Sequence, residues 1–176
     1  MKLNLGCGNN YKTGWINTDI NKQVKAEYYF DLGKDKFPFK DNSFNLIEAK
    51  MVFEHLKNYN ERLFFLKEIY RIGNNNCKIN LSVPHFSSIT AYSDIQHVAG
   101  FSSKSLDYFS IHDSNYYGEG LGLFEIKSKI IFNHIWRILG FNKIINRSVW
   151  LKKIYEIYFP FIFTADEVRF ELIIIK

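Results

Sequence analysis

Cysteine is nearly absent from the 176 residues: Cys7 and Cys77 stand apart, with no pairing or metal-ligand spacing. That excludes a disulfide framework and a cysteine-rich zinc site, and it fits a reducing, cytoplasmic compartment. No run approaches the ~20 consecutive apolar residues of a spanning helix. The best stretch, Ile154 to Phe163, is short and carries Glu156 and Pro160. Met1 to Leu5 lacks the basic segment and apolar run of a secretory leader, so export is not expected. Acidic residues are missing between Ile126 and Tyr155, a segment holding Lys127, Lys129, Arg137, Lys143, Arg147, Lys152 and Lys153. It could face an anionic partner, but a solvated face of helices and loops accounts for it without nucleic acid.

What is present is a core. Hydrophobic residues make up 47% and aromatics 18%, with 17 Phe and 11 Tyr, against a net charge of only +5. A chain of this length forms one domain that buries roughly two thirds of the surface its unfolded form exposes. Short apolar runs predict strands at 2–5, 15–19, 27–31, 44–49 and 78–83. From Asn60 to Ile72, Leu63, Leu66, Ile69 and Tyr70 share a helical face, with Gly73 as stop and Asn74 to Asn76 as a polar turn. Residues 85–122 lose periodicity and predict a long loop, either functional or poorly ordered. Beyond it, 123–138 reads equally as strand or helix, 149–159 as helix and 168–175 as a buried strand. The domain thus divides into a cofactor half (1–84), a substrate or lid loop (85–122) and closing elements (123–176).

The chemistry is concentrated in Leu3-Asn4-Leu5-Gly6-Cys7-Gly8-Asn9-Asn10. A strand feeding Gly-x-Gly makes a turn whose backbone can approach a ligand, because glycine has no Cβ and tolerates positive φ. The next two strands end in Asp19 and Asp31, and carboxylates at the ends of neighbouring parallel strands face the crevice where open α/β sheets bind nucleosides. Tyr11 stands where a dinucleotide fingerprint needs its third glycine, and Asp19 arrives at about half the required spacing, which disfavours NAD. A Walker-type Gly-Lys-Ser/Thr is absent.

These residues resemble a family. Leu3 to Gly8, Gly14 to Ile20, Asp31-Leu32, Phe37-Pro38-Phe39, Asp41 to Ile47 and Glu54-His55-Leu56 are similar to the successive motifs of class I S-adenosylmethionine (SAM)-dependent methyltransferases, in particular the short type 11 members. The likeness covers residues 2 to 84 and continues weakly through Asp94, His97 and 155–176. It implies an α/β, Rossmann-like fold: a twisted, mostly parallel seven-stranded sheet with an antiparallel last strand. It also implies SAM as cofactor and S-adenosylhomocysteine as product. By resemblance, Asn4, Gly6, Cys7, Gly8 and Asn9 lie by the methionine part, Asp19 holds the ribose diol and Ile20 packs on adenine. Asp31 and Leu32 meet the adenine edge, while Ala49, Lys50 and Met51 run under the sulfonium beside His55. Two departures remove charge: Asn4 and Asn45 stand where the family places acids. Only about ten residues separate Gly8 from Asp19, too few for a full crossover helix, so an abbreviated first helix is expected.

The polar loop carries His85, Asp94, His97, His112 and Asp113. Its spacing matches no helix-borne or hairpin zinc pattern, and no metal is expected there. It reads instead as an acceptor pocket, with His97 or His85 as general base oriented by Asp94. Glu54-His55 reads equally as a helix start or as site residues. The aromatic run Tyr155, Tyr158, Phe159, Phe161 and Phe163 reads as core before substrate platform. The expected activity is methyl transfer to a small-molecule or sugar-like acceptor. O-transfer is favoured because no Asn/Asp-Pro-Pro-Tyr/Phe motif follows the fourth strand, and the chain is read as monomer or homodimer. Two rivals stay open: a SAM-binding scaffold without turnover, and an RNA-modifying enzyme using Lys127 to Lys153.

Overall fold

The computed structural model describes residues 1–112 and 122–176. Its strands are β1 (Lys2–Leu5), β2 (Ile16–Asp19), β3 (Tyr28–Tyr29), β4 (Phe44–Lys50), β5 (Gly73–Pro84), β6 (Phe124–Phe132) and β7 (Ala165–Ile174). They form one sheet in the order β3-β2-β1-β4-β5-β7-β6. The pairs among β1 to β5 are all parallel, whereas β7 runs antiparallel to both β5 and β6. This is the expected sheet, with its closing strand inserted between β5 and β6.

Among the described residues one long helix covers the sheet. Helix α1 (Tyr59–Ile72) starts at Asn58, whose side chain accepts from the Glu61 N–H, while Glu61 accepts from the Lys57 N–H at 2.9 Å. These two bonds satisfy donors that a helix start leaves open. Phe65, Leu66, Ile69 and Ile72 are buried in one cluster with Leu3, Leu5, Ile47, Ala49, Ile79, Leu81, Phe170 and Leu172. On the opposite face the strands present Glu48, Lys50, Asn80, Ser82, Lys127, Lys129, Arg169 and Glu171, lining a polar concavity of about 520 Å³. The period-two pattern of β4 and β5 is what sorts apolar and polar side chains between these faces.

The connections β1–β2, β2–β3 and β3–β4 contain turns and no helix, so the expected shortening of the first crossover is complete. After β5 come a four-residue helix α2 (Thr90–Ser93) and a 3₁₀ turn at Asp107–Phe109. Past β6 lie α3 (His134–Ile138), α4 (Phe141–Ile145) and α5 (Val149–Tyr158). A second cluster of Ile130, Phe132, Tyr155 and Ala165, with Trp136, Phe141 and Phe163 against it, joins these helices to the sheet.

Several local expectations need correction. Residues 74–76 do not form a turn between elements but belong to β5, which starts at Gly73 directly after α1. The ladder jumps from Phe44↔Gly73 to Leu46↔Lys78, so the extra residues bulge out. Gly73 has φ −76°, and its lack of a side chain serves packing, since a Cβ there would lie 2.4 Å from Ile174 Cδ1. The stretch 123–138 is both strand and helix in succession. The third strand shrinks to two residues, because Tyr28 and Tyr29 sit on the sheet edge, paired only with Thr18 and Asp19. Segment 85–112 is better anchored than its sequence suggests: Phe101, Leu106 and Phe109 are buried, and His85↔Phe101 and Ser110↔Phe124 form bridges. Asp113 lies outside the described residues.

Candidate active site

The β1–β2 turn is built for close backbone approach. Gly6 and Gly8 have φ of +61° and +48°, which L side chains rarely adopt. A Cβ on Gly6 would collide with Val52 Cγ2 at 2.4 Å, whereas one on Gly8 would project into open space, with nothing within 4 Å. Gly6 is thus closed over by Val52, and Gly8 is the open rim. The Cys7 N–H donates to Thr18 O at 2.9 Å, and the Gly8 N–H donates to Asp19 Oδ2 at 2.7 Å. The glycine turn and the β2 carboxylate therefore meet, as the sequence required. Ile20, next to Asp19, is 65% exposed, an apolar side chain held in solvent at the crevice.

Other expected cofactor residues fall into three groups. Asn4 and Cys7 are buried and internally engaged: Asn4 Nδ2 donates to Asn10 O and Asn17 Oδ1, at 2.9 and 3.0 Å. Burial, with Asp19 adding to it, pushes the Cys7 thiol up, which makes it an inert packing group. Asp31 follows β3 and Phe30 N–H donates to Asp19 O, so the two acidic ends are neighbours. Asp31 Oδ1 accepts from the Gly33 N–H, and Leu32 is buried. Asn9 is exposed. Of the β4 end, Ala49 faces the core while the Lys50 side chain lines the polar concavity on the opposite face. Met51 has φ +52°, an uncommon conformation for a side-chain-bearing residue and one that clusters at functional sites.

Directly after β4, a 3₁₀ turn (Phe53–His55) carries Glu54 and His55. Glu54 and His55 thus do sit in a short helix of their own, separate from α1, which Asn58 caps. Glu54 is fully buried, and neither carboxylate oxygen has a hydrogen-bond partner among the described residues. Burial pushes its carboxyl up to about 7, with Asp94 adding to the effect. The His55 ring lies edge-on to His97, with centroids 4.7 Å apart. Burial first, and then His97, push the His55 imidazole down. His97 Nδ1 is 2.9 Å from Thr90 O, and a carbonyl can only accept, so Nδ1 carries a proton and, in the neutral ring, the lone pair is on Nε2. Asp94 Oδ2 is 3.8 Å from that Nε2. The Val98 N–H donates to Glu54 O at 3.3 Å, tying the two segments together.

His85 is elsewhere. It is fully buried against Phe86 and Tyr155. Its Nδ1 accepts from the Ser87 N–H at 3.1 Å, and Nε2 lies 3.4 Å from Glu156 Oε1, too loosely aligned for a hydrogen bond. Glu156 also accepts from the Ser103 N–H and hydroxyl at 2.6 and 2.8 Å. His85 and His97, the two alternatives for a general base, thus lie in different surroundings, His85 packing the 85–112 segment against α5.

The aromatic run splits likewise: Tyr155 is buried and donates to Phe163 O at 2.8 Å, while Tyr158, Phe159 and Phe161 are exposed. Beside the Glu54 turn, Phe53, Tyr59, Arg62, Phe101, Leu106 and Phe109 line an apolar cavity of about 690 Å³. Arg62 Nε is buried there without a hydrogen-bond partner among the described residues. This cavity is not legible from local patterns, because its walls come from three separate segments.

No family model and no curated protein matches this sequence. Solved structures do match. A SAM-dependent methyltransferase from Archaeoglobus fulgidus superposes with a TM-score of 0.64 at 17% identity, covering 98% of this chain and 85% of that one. For an S-adenosylmethionine-dependent methyltransferase from Mesorhizobium loti the values are 0.55, 11%, 98% and 89%. The [4+2]-cyclase SpnF matches with 0.58, 12%, 99% and 74%. Identities this low carry the architecture and leave the chemistry to the site: the chain has the class I SAM-dependent methyltransferase fold.

Proposed function

We propose that this chain is an enzyme that moves a methyl group from SAM to an oxygen of a small acceptor. The observation that carries the reading is the meeting of the open glycine turn with Asp19 at the carboxyl ends of β1 and β2. The residues fit the cofactor. Gly8 leaves open the space a Cβ would fill, Asp19 supplies two acceptor oxygens for a ribose diol, and Ile20 offers an exposed apolar surface for a purine. Asp31 and the Leu32 backbone suit the adenine edge. When bound, SAM supplies an electrophilic sulfonium methyl.

The protein's task is to align the acceptor in line with that methyl and to help remove the hydroxyl proton. His97, with its Nε2 lone pair beside the Glu54 turn, is the better placed of the two histidines for that region. An acceptor with an apolar body and an anionic group suits the neighbouring cavity, whose walls are aromatic and whose buried cation is Arg62.

The test is calorimetry of the purified chain with SAM and S-adenosylhomocysteine. Wild type is expected to bind both, and Asp19→Ala to lose at least about tenfold in affinity, the ~1.4 kcal/mol of one charge-assisted hydrogen bond, with its circular dichroism unchanged. Unchanged affinity would refute the ribose assignment. A second reading, binding without methyl transfer, is favoured by one observation: the same architecture in SpnF carries a cyclase. Turnover against an acceptor panel separates the two.

A further inference from the structure

Two imidazoles and a carboxylate converge beside the crevice with their donor atoms within 4.8 Å of one another: Glu54, His55 and His97. We infer that these three side chains form a binding site for a divalent first-row transition metal. The inference rests on four observations. Glu54 is fully buried with both oxygens lacking a partner among the described residues, and a buried carboxylate left so is costly unless something charged meets it. His97 is held by its Nδ1–H bond to Thr90 O, which in the neutral ring leaves the Nε2 lone pair available as a ligand. Metal-ligating histidines use their second nitrogen in this way, to fix ring and tautomer. The Val98–Glu54 backbone bond locks the two chain segments that supply the donors. Finally, Asp94 Oδ2 stands 3.8 Å from His97 Nε2, a fourth donor at the edge of the cluster.

Geometry and donor chemistry narrow the ion. An ion about 2.1 Å from each donor needs donors roughly 3–3.5 Å apart, so side chains within 4.8 Å must close by about an ångström. His55 and His97 are only partly buried and can supply that movement. Two imidazole nitrogens with a carboxylate suit zinc, iron, cobalt or nickel, whereas magnesium and calcium want all-oxygen shells. Sequence spacing did not show the site, because its ligands are an adjacent Glu-His pair and a histidine 42 positions on, which fits no local zinc pattern.

The site goes beyond the proposed methyl transfer and is read without SAM, so either can fail alone. If both hold, His97 would be a ligand and not the general base: the ion would lower the acceptor hydroxyl's pKa as a Lewis acid, and the proton would leave to solvent.

The experiment strips the full chain with a chelator and titrates it with Co²⁺ and Zn²⁺, following cobalt absorption in the visible and stoichiometry by elemental analysis. One equivalent per chain is expected, with absorption reporting nitrogen ligation. His97→Asn and Glu54→Gln should each weaken binding tenfold or more, while His112→Asn and His134→Asn leave it unchanged. Without metal, Glu54→Gln should raise the unfolding midpoint, since a neutral amide replaces a partnerless carboxylate. Added Zn²⁺ should then raise the midpoint of wild type and not that of the variant. Should Glu54→Gln fail to fold, the cobalt spectrum of wild type and His97→Asn decide the matter. Absence of stoichiometric metal, or equal losses in His112→Asn and His97→Asn, overturns the inference. Calorimetry of the metal-free chain with S-adenosylhomocysteine reports on the cofactor site separately.

Discussion

Gly6 is the residue through which fold and site constrain each other most tightly, and replacing it with alanine separates two costs. The first is conformational: at φ +61° an alanine Cβ crowds its own backbone, at about 1–2 kcal/mol. The second is steric. The new Cβ would sit 2.4 Å from Val52 Cγ2 and 3.2 Å from Cγ1, against ~3.5–4.0 Å for carbon pairs in contact. Overpacking of this kind costs about 1–3 kcal/mol, so Gly6→Ala should lose about 2–5 kcal/mol in urea unfolding. Val52→Ala alone gives up two half-buried methyls, about 1–1.5 kcal/mol. In the double variant the nearest remaining carbon is Val52 Cβ at 3.4 Å, an ordinary contact, so the steric part vanishes and the φ cost stays. The cycle should show a favourable coupling of about 1–3 kcal/mol. Gly8→Ala, with nothing near its Cβ, should show only the φ cost, no coupling to Val52, and a marked loss of S-adenosylhomocysteine affinity. Additivity of Gly6→Ala and Val52→Ala within about 0.5 kcal/mol would refute the claim that Val52 closes this turn.

Two further outcomes follow from the α5 side. Burial opposes the Glu156 charge, but the hydrogen bonds of Ser103 together with His85 outweigh it and hold the carboxyl below its ordinary value of 4.5. A depressed folded pKa gives stability that is present above the unfolded value and is lost as pH falls through the folded one. The stability gap between wild type and Glu156→Gln should therefore be about 1–2 kcal/mol at pH 7 and shrink below about pH 4.5. A gap independent of pH would show that the carboxylate charge is not what anchors Ser103. Tyr155→Phe leaves Phe163 O without its donor and should cost about 1–2 kcal/mol, while Tyr158→Phe should stay within about 0.5 kcal/mol. Equal effects would mean that the aromatic run is not divided between core and surface.

Legibility followed the range of the interactions. β1, β2, β4, α1 and α5 were readable because their patterns are local: short apolar runs closed by turn residues, or a 3.6-residue stripe capped by Asn58 or Ser148. The start of β5 was misread because three asparagines signal a turn, and only the pairing with β4 turns them into a bulge. In the site, Gly6, Gly8 and Asp19 were legible from spacing, since ten residues between two parallel strands leave little freedom. Val52 and Arg62 were not, and Glu54 stayed undecided between two readings, because what distinguishes them is lost solvation and a close approach, set by residues far along the chain. The burial of His85 was not legible for the same reason: Tyr155 and Glu156, which pack against it, are 70 and 71 positions away.

The helix-free first crossover raises the question of what holds the glycine turn rigid without a helix behind it. The answer lies in Asn17. Its Oδ1 accepts from Asn4 Nδ2 and from the Lys12 N–H, and its Nδ2 donates to the carbonyls of Lys12 and Trp15, so one side chain binds both flanks of the turn. Glu27 then accepts from the Asn17 N–H and from the Tyr11 hydroxyl, each at 2.6 Å, clamping the far side. This network explains why position 4 is an asparagine where the family resemblance led one to expect an acid. The Asn4 side chain must donate to Asn10 O and Asn17 Oδ1 together, and a carboxylate would set oxygen against oxygen at both. With no helix dipole behind Gly6 and Gly8, the backbone of the turn and the Asp19 carboxylate carry the polar side of any nucleoside contact by themselves. Their geometry rests on the amide side chains of Asn4 and Asn17, whose bonds carry no charge, and on the Glu27 carboxylate that braces Asn17 and Tyr11.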